Sequence, residues 1–241
     1  MGLRGEYLRA MGIDTWRLQL PAGVARVADV ELSPASALSS GQAPLHSDVP
    51  DSGWDGLRQQ VVTCTRCDLH RSRTQTVFGV GNQHADWLII GEAPGAEEDK
   101  RGEPFVGRAG QLLDAMLAAI SLDRTQAYIA NILKCRPPNN RDPQAAEVAC
   151  CEPYLQQQIA LLKPKLILAV GRIAAQNLLK TDLPLGRLRG QTHHYGENQI
   201  PVIVTYHPAY LLRTPSDKRK AWEDLKLAVR LYRQQQAGAA S

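Results

Sequence analysis

The sequence predicts an α/β fold in which helices cover both faces of a parallel sheet. Four short apolar runs carry this prediction, at residues 87–90, 128–133, 166–170 and 202–206. Helix-like segments follow the first three at about 110–120, 144–162 and 171–179, and an amphipathic segment at 216–232 follows the fourth. Strands that are apolar throughout and alternate with helices are typical of parallel sheets buried on both faces.

Length and composition suit one such domain with an appendage. The chain has 241 residues, 44% of them hydrophobic, and a formal net charge of +4. The mildly basic balance suits a polyanionic partner but does not identify one. No apolar run approaches the ~20 residues that span a bilayer, and no secretory signal core is evident. We therefore expect a cytoplasmic, monomeric protein that does not contact membranes.

Composition divides the chain into four segments. Residues 1–20 have a helical apolar stripe, residues 21–52 are rich in Ala, Ser, Pro and Gly, the domain occupies 53–233, and a polar tail covers 234–241. The second segment cannot bury much apolar surface, so we expect a flexible linker there. We expect the tail to be disordered, as chain termini often are.

The first segment is either a helix docked on its own domain or a peptide that docks into a partner. Tyr7, Leu8 and Met11 supply the stripe, and Trp16 is a candidate anchor. Residues 7–18 resemble the N-terminal peptide of the psi subunit of bacterial DNA polymerase III, which binds the chi subunit. That likeness implies a replisome protein similar to the chi subunit as a partner of residues 1–20.

Five cysteines in a reducing compartment indicate metal binding or catalysis rather than disulfides. Cys64 and Cys67 form a CxxC pair, Cys135 follows the second strand, and Cys150 and Cys151 lie in the next helix. Four thiolates suit either a zinc ion or an iron–sulfur cluster. Neighbouring helical residues point about 100° apart, so only one of the adjacent pair is needed. The alternative is that the last three cysteines are small core residues.

The long connector after the first strand, residues 91–108, is the main candidate for a ligand-binding loop. It lies at the carboxyl end of a buried strand, where open α/β sheets bind ligands. Glu92 and Glu98 could hold a water molecule or oppose a developing positive charge, or they could be solvated loop charges. Phe105 could stack on a planar group, or it could anchor the loop to the core.

Two polar residues occur at the same predicted sheet edge. Asn131 interrupts the second apolar run, and its amide could pair with the edge of a base or with a neighbouring loop. His207 closes the fourth run, and Leu211, Leu212 and Arg213 follow it. Apolar side chains beside a cation suit a wedge that enters stacked bases with a phosphate contact behind it.

These elements together resemble the family-four uracil-DNA glycosylases, the iron–sulfur branch of that superfamily. The likeness rests on GEAPG at 91–95, PFVGRAG at 104–110, NILKCRPP at 131–138 and HPAYLLR at 207–213, together with the cysteines. It implies a three-layer α/β/α sandwich with a four-stranded parallel sheet. It also implies an enzyme that flips uracil out of DNA and hydrolyses its N-glycosidic bond, leaving an abasic site for base excision repair. A [4Fe–4S] cluster would be held by Cys64, Cys67, Cys135 and Cys151, with Cys150 as a spare.

The resemblance also implies a role for each site residue. Phe105 would stack on the flipped uracil, Asn131 would bond its Watson–Crick edge, and His207 would donate to the oxygen that becomes anionic. The carboxylates would position water or stabilise the sugar cation, and backbone near Gly91 and Ala93 would bind the base. The roles implied on the DNA side are gap filling by Leu211 and phosphate contacts by Arg213 and Arg136.

One departure and two alternatives accompany this interpretation. Ala93 stands where family-one enzymes carry a catalytic Asp, which removes the obvious general base. A sister group that reacts covalently with uracil-DNA carries a His in the loop after the second strand, and residues 136–143 contain none. A non-enzymatic, zinc-containing nucleic-acid-binding module is the other alternative.

Overall fold

A mixed sheet forms the centre of the protein in the computed structural model, which describes residues 52–239. Its strands are β1 (Val80–Gly81), β2 (Trp87–Gly91), β3 (Ala127–Asn131), β4 (Leu166–Val170), β5 (Thr192–Tyr195) and β6 (Ile200–Thr205). Their order across the sheet is β1-β3-β2-β4-β6-β5. The four predicted apolar runs are the central strands, and they are parallel to one another.

The sheet differs from the four-stranded prediction at its two edges. β1 pairs antiparallel with β3, and β5 pairs antiparallel with β6. β1 has only two residues, and β5 (Thr-His-His-Tyr) has no fully buried position. Short, partly exposed strands lack the apolar run by which the central strands were recognised.

The helices predicted at 110–120, 144–162 and 171–179 begin and end close to those positions, and further helices accompany them. In chain order the helices are α1 (Ser52–Val62), α2 (Ala96–Arg101), α3 (Arg108–Ala119), α4 (Ala145–Leu162), α5 (Arg172–Leu179), α6 (Leu185–Leu188), α7 (Pro208–Arg213) and α8 (Lys218–Ala239). Short 3₁₀ turns occur at Asp68–Arg71, Arg124–Gln126, Pro138–Asn140 and Pro215–Asp217. None of the helices in this part of the chain is both long and apolar enough to cross a membrane.

Alternate side chains of the buried strands enter two separate cores. On one face Leu88 and Ile90 pack with residues of α1, α4 and α5, and on the other Trp87 and Ile89 pack with residues of α3, α7 and α8. This is the side-chain alternation expected of a strand. The molecule therefore has the three-layer α/β/α architecture, with helices on both faces of the sheet.

Two segments differ from their predicted form. The connector after β2 contains a helix, α2, where the sequence suggested an irregular loop. α8 continues to Ala239, into the segment from residue 234 for which a disordered tail was predicted. Gln236 stabilises this extension because its Nε2 donates to Asp86 Oδ2 at 3.3 Å. The predicted N-terminal peptide (1–20) and linker (21–52) lie outside the described residues except for Ser52, which begins α1.

Candidate active site and cysteine cavity

A cleft of about 450 Å³ lies at the carboxyl ends of β2, β3 and β6. Its walls include the predicted residues Glu92, Ala93, Glu98, Phe105, Asn131, His207 and Arg213. The sequence analysis missed Asn140, Asp142 and Tyr210, which also line it. Parallel strands end at one edge of a sheet, which is why residues far apart in the chain meet here.

Gly91 lets two walls of the cleft approach each other. A Cβ atom at this position would lie 2.5 Å from Asn131 Oδ1 and 2.6 Å from Phe105 Cζ. Both distances are far below van der Waals contact, so any side chain here would displace the amide, the ring or both. Gly91 is therefore required by close packing beneath the cleft.

Phe105 is held in a left-handed backbone conformation, with φ at 55°. Arg124 fixes this turn because it donates to the carbonyl of Phe105 at 3.1 Å and to that of Pro104. The same guanidinium pairs with Asp114 at 2.8 Å. The phenyl ring, only 6% exposed, stacks against His207 with ring centroids 5.6 Å apart. Phe105 thus packs into the core and also forms one wall of the cleft.

Asn131 carries a buried acceptor that the described residues leave unpaired. The residue is 2% exposed, and its Oδ1 has no hydrogen-bond partner within residues 52–239. An unpaired buried polar atom costs about 1–3 kcal/mol. This favours the functional alternative for Asn131, since bonding to a neighbouring loop would have satisfied the oxygen.

The tautomer of His207 follows from its position as the N-cap of α7. Its Nδ1 accepts a hydrogen bond from the Ala209 amide at 3.1 Å, which assigns the proton of the neutral ring to Nε2. Burial, assisted by the charge of Arg213 and opposed by Glu98, lowers the pKa of His207 to about 4. The imidazole is therefore a neutral Nε2–H donor at physiological pH.

Glu98 organises the loop that carries Phe105. Its Oε2 accepts from the Gly95 amide at 3.1 Å, and its Oε1 accepts from the amides of Val106 and Gly107 at 3.0 and 3.3 Å. Three backbone donors occupy the carboxylate, one from the N-cap of α2 and two from the start of α3. This geometry favours a positioning role for Glu98.

Glu92 is half-buried in the cleft wall, and its charge state is sensitive to pH near neutrality. Burial, together with the negative charge of Asp142, raises the pKa of Glu92 to about 7, while Arg172 opposes the shift. Asp142 is itself paired with Arg172 at 2.8 Å. Among the cleft carboxylates, Glu92 is thus the candidate for exchanging a proton or holding a water molecule.

The prediction that Leu211 is the wedge residue is wrong. Leu211 is 1% exposed and packs in the core with residues of α3, whereas Leu212 is 36% exposed. Adjacent residues of a helix point about 100° apart, and the orientation of α7 turns Leu211 inward. Arg213, predicted to contact phosphate, is exposed and lines the cleft. Arg136 does not line the cleft. Its Nε donates at 2.7 Å to Oδ1 of Asn140, and Asn140 does line the cleft.

All five cysteines surround one small cavity between α1, α4 and the loop after β3. His70, Arg73, Lys134 and Tyr154 are among its other walls. Arg73 donates to Cys135 Sγ at 3.2 Å, and the Lys134 amide donates to Cys151 Sγ at 3.3 Å. Cys150 differs, because its thiol donates to the carbonyl of Arg66 at 3.2 Å.

The buried thiols are poorly suited to ionise by themselves. Burial raises the pKa of Cys67 and of Cys135, and it raises that of Cys151 to about 11. Within residues 52–239, no group of three or more His, Cys, Asp and Glu side chains has an arrangement that could hold a metal ion. The cavity therefore supplies cysteine donors and N–H groups directed at sulfur.

Comparisons with known proteins agree with this architecture. Residues 78–226 match the model of the uracil DNA glycosylase superfamily. The type-4 uracil-DNA glycosylase of Archaeoglobus fulgidus is 43% identical over 71% of this chain and 89% of its own length. The type-4 enzymes of Sulfurisphaera tokodaii and Pyrobaculum aerophilum are each 41% identical, over 70% and 71% of this chain and 80% and 90% of their own lengths. The type-5 uracil-DNA glycosylase of Pyrobaculum aerophilum is less similar, at 28% identity. The chain therefore belongs to the uracil-DNA glycosylase superfamily, and within it to the type-4 group.

Proposed function

We propose that this protein is a monofunctional uracil-DNA glycosylase. It hydrolyses the N-glycosidic bond of uracil flipped out of DNA and leaves an abasic site for base excision repair. The observation that carries the proposal is the cleft itself, in which an unpaired amide, an aromatic ring and a neutral imidazole converge. Membership of the type-4 group supports the same reaction.

Asn131 and Phe105 recognise the base. The unpaired Oδ1 of Asn131 accepts from uracil N3–H, and its Nδ2 donates to the uracil O4. The ring of Phe105 supplies a stacking face in the same cleft. Extruding the base costs a few kcal/mol, which these contacts offset.

His207 stabilises the departing base. As the glycosidic bond breaks, negative charge accumulates on the uracil O2. The neutral ring presents Nε2–H, since Nδ1 is occupied by the Ala209 amide. A donor that is already oriented stabilises the transition state more than the ground state. The sugar meanwhile becomes oxocarbenium-like.

Glu92 holds the attacking water or stabilises the sugar cation, and Glu98 keeps the loop in place. The division follows from their contacts, because three backbone amides already occupy the Glu98 carboxylate. Ala93 lines the cleft beside Glu92 and offers no group for proton transfer. With a pKa raised to about 7, Glu92 is ionised in a large fraction of molecules at neutral pH.

The DNA contacts lie around α7. Leu212, which is exposed, takes the gap-filling role that the sequence analysis assigned to its neighbour. Arg213 contacts phosphate beside the cleft, and Arg136 does so from the adjoining loop. Such contacts orient the duplex without reading its sequence.

A [4Fe–4S] cluster fits the donors of the cysteine cavity. The donor set is four cysteines, and N–H groups are directed at two of the sulfurs. Cys64, Cys67, Cys135 and Cys151 would hold the cluster, while Cys150 is engaged by the Arg66 carbonyl. Bound by these four cysteines, such a cluster would link the α1–β1 segment, the loop after β3 and α4.

Residues 1–20 dock into a replisome protein similar to the chi subunit of DNA polymerase III. The support is the sequence likeness, since these residues lie outside the described part of the chain. A pull-down with the full chain and with a variant lacking residues 1–20 tests this. Recovery of the partner should fall on truncation, and equal recovery would refute the proposal.

The proposed reaction is tested by incubating the protein with uracil-containing oligonucleotides and then cleaving abasic sites with alkali. We expect multiple turnover, with no cleavage of the matched thymine oligonucleotide. A stable protein–DNA adduct would indicate the covalent sister activity. Binding without uracil release would indicate a nucleic-acid-binding module instead.

A further inference from the structure

Lys134 is a buried amine that the proposed reaction does not use. The residue is 1% exposed. Its Nζ donates to the backbone carbonyl of Asn131 at 2.9 Å and to Gln158 Oε1 at 2.6 Å. Both acceptors are neutral oxygens. A buried lysine with such partners is uncommon, because desolvating its charge is costly.

Gln158 holds the amine from the opposite side. This residue, in α4, is fully buried. Its Nε2 donates to the Phe78 carbonyl at 2.9 Å and to the Tyr128 hydroxyl at 3.3 Å. Gln158, which accepts from Lys134, is therefore held in place in α4 by a bond to β3. The side chains of Lys134, Gln158 and Tyr128 form one buried polar network.

Lys134 also contacts the cysteine cavity. Its backbone amide donates to Cys151 Sγ at 3.3 Å, and Cys135 is its neighbour in the chain. One residue thus contacts the cysteine cavity through its main chain and the base-binding residue Asn131 through its side chain.

The orientation of the Asn131 side-chain amide depends on the position of the Asn131 backbone. Oδ1 has no partner among the described residues, so no side-chain bond to this oxygen orients it. Asn131 is the last residue of β3, and after it the chain turns toward Cys135. Backbone pairing of Ile132 and Leu133 with Gly91 and Glu92, at 3.0 and 3.1 Å, holds one side of this turn. Lys134 Nζ holds the other side through the Asn131 carbonyl.

We propose that Lys134 is a positioning residue for uracil recognition, which fixes the backbone of Asn131 and joins the base pocket to the cysteine cavity. The inference rests on the proposed function, since it assumes that Asn131 binds the base. Binding groups must be held within about 0.5 Å of their productive geometry, so losing this bond should weaken base recognition specifically.

The test is Lys134→Met, which keeps an unbranched apolar stem out to the ε position and removes the donor. The holoenzyme is assayed for inhibition by free uracil, for kcat and KM on uracil-containing DNA, for binding to undamaged duplex, and for cluster absorbance. We expect inhibition by uracil to weaken about tenfold, the loss expected for one buried hydrogen bond. Cluster absorbance per protein and binding to undamaged duplex should stay at the parental level.

Lys165→Met is the matched control, because Lys165 is half-exposed and pairs with Asp86 at the amino ends of β4 and β2, whereas the cleft lies at the carboxyl ends. It should leave all four readouts unchanged. Gln158→Met removes the other partner of the amine while keeping its bond to Asn131, and we expect about threefold weaker inhibition by uracil. This second variant decides the question if Lys134→Met does not fold.

Parental inhibition by uracil in Lys134→Met, or a loss that only follows loss of the cluster, would overturn the inference. If Lys134→Met cannot be prepared, parental inhibition in Gln158→Met overturns it. These results leave the proposed function intact, because the parent protein still releases uracil. Failure of the parent to release uracil from DNA would instead remove the proposed function, and this inference with it.

Discussion

The cleft and the cysteine cavity lie at the same end of β3 but are built in opposite ways. Asn131 faces the cleft and Cys135 faces the cavity, with Ile132, Leu133 and Lys134 between them. In the cleft, Asn131 Oδ1 is buried without a partner in the described chain. In the cavity, N–H groups of Arg73 and Lys134 are directed at sulfur atoms.

The difference separates a site that exchanges its ligand from one that keeps it. Asn131 Oδ1 lacks a partner among the described residues and can gain one when substrate arrives, so binding energy is available in the reaction. Buried thiols with raised pKa values are unfavourable as thiolates until a metal group compensates them. Changes in the cleft should therefore alter rate, and changes in the cavity should alter stability and metal content.

Removing His207 should have the largest effect on rate. His207→Ala is expected to lower kcat about 10²- to 10³-fold, the usual loss for a donor to a developing oxyanion. Asn131→Ala should lose most activity as well, and neither variant should lose the cluster. Steady-state kinetics and cluster absorbance measure this. His194, which is exposed on β5, supplies the control variant His194→Ala, and rates near the parent in both cleft variants would refute the site assignment.

Cys151 and Cys150 should behave differently despite being neighbours. Cys151→Ala is expected to lose most bound iron and to lower the melting temperature, since a structural metal group contributes folding free energy. Cys150→Ala should keep its iron, because that thiol is engaged by the Arg66 carbonyl. Iron analysis and thermal unfolding measure both. Equal iron loss in the two variants would show that the ligand assignment is wrong.

Gly91→Ala should damage the cleft without a change in any functional group. The added methyl would meet Asn131 Oδ1 and Phe105 Cζ, and displacements near 1 Å can cost about 10²-fold in rate. Gly56→Ala is the control, because a Cβ there meets nothing within 4 Å and alanine favours the helix. If kcat/KM of Gly91→Ala matched that of the parent, close packing under the cleft would not be required.

Glu92 should set the acid side of the pH–rate profile. Activity is expected to fall about tenfold per pH unit below pH 7, because protonation of Glu92 removes the carboxylate. The imidazole cannot cause this limb, since the pKa of His207 is lowered to about 4. In Glu92→Gln the rate should be low and the limb absent, and a limb that persisted would assign it to another group.

The raised pKa of Glu92 also predicts that Glu92→Gln increases the free energy of unfolding at neutral and higher pH. The folded-state pKa of Glu92 is raised, so the parent loses stability as pH rises from 4.5 to about 7. Above pH 7 the variant should be about 1–3 kcal/mol more stable, and at pH 4 the two should be equal. Urea unfolding at both pH values measures this difference, and a pH-independent difference would contradict it.

The smallest expected effect on rate separates the two leucines of α7. Leu212→Ala should lower kcat/KM on duplex DNA about threefold to tenfold, with little change on single strands, because only duplex has a stack to fill. Leu211→Ala should instead cost about 2–5 kcal/mol of folding stability, since that side chain is buried. A duplex-specific defect in Leu211→Ala would restore the original assignment.

Periodicity and motif spacing predicted most of the fold and of the cleft. Apolar runs predicted the central strands and helices α3, α4 and α5, and strand ends placed Glu92, Asn131 and His207 on one edge. The edge strands β1 and β5 could not be predicted in this way, because their sequences are short and only partly buried. Asp142 was missed because nothing in its local sequence distinguishes it from a surface residue, and Tyr210 because the HPAYLLR motif around it gave it no role.

The amino-acid sequence by itself determined the type-4 motifs, the five cysteines and the strand-to-helix alternation, because these depend on residue type and spacing along the chain. Only the tertiary structure decided that Leu211 is buried while Leu212 is exposed, and that backbone amides occupy Glu98. It also decided that Lys134 reaches the carbonyl of Asn131. These outcomes depend on how α7, α2 and α4 are rotated against the sheet, and that rotation is set by long-range packing rather than by local pattern.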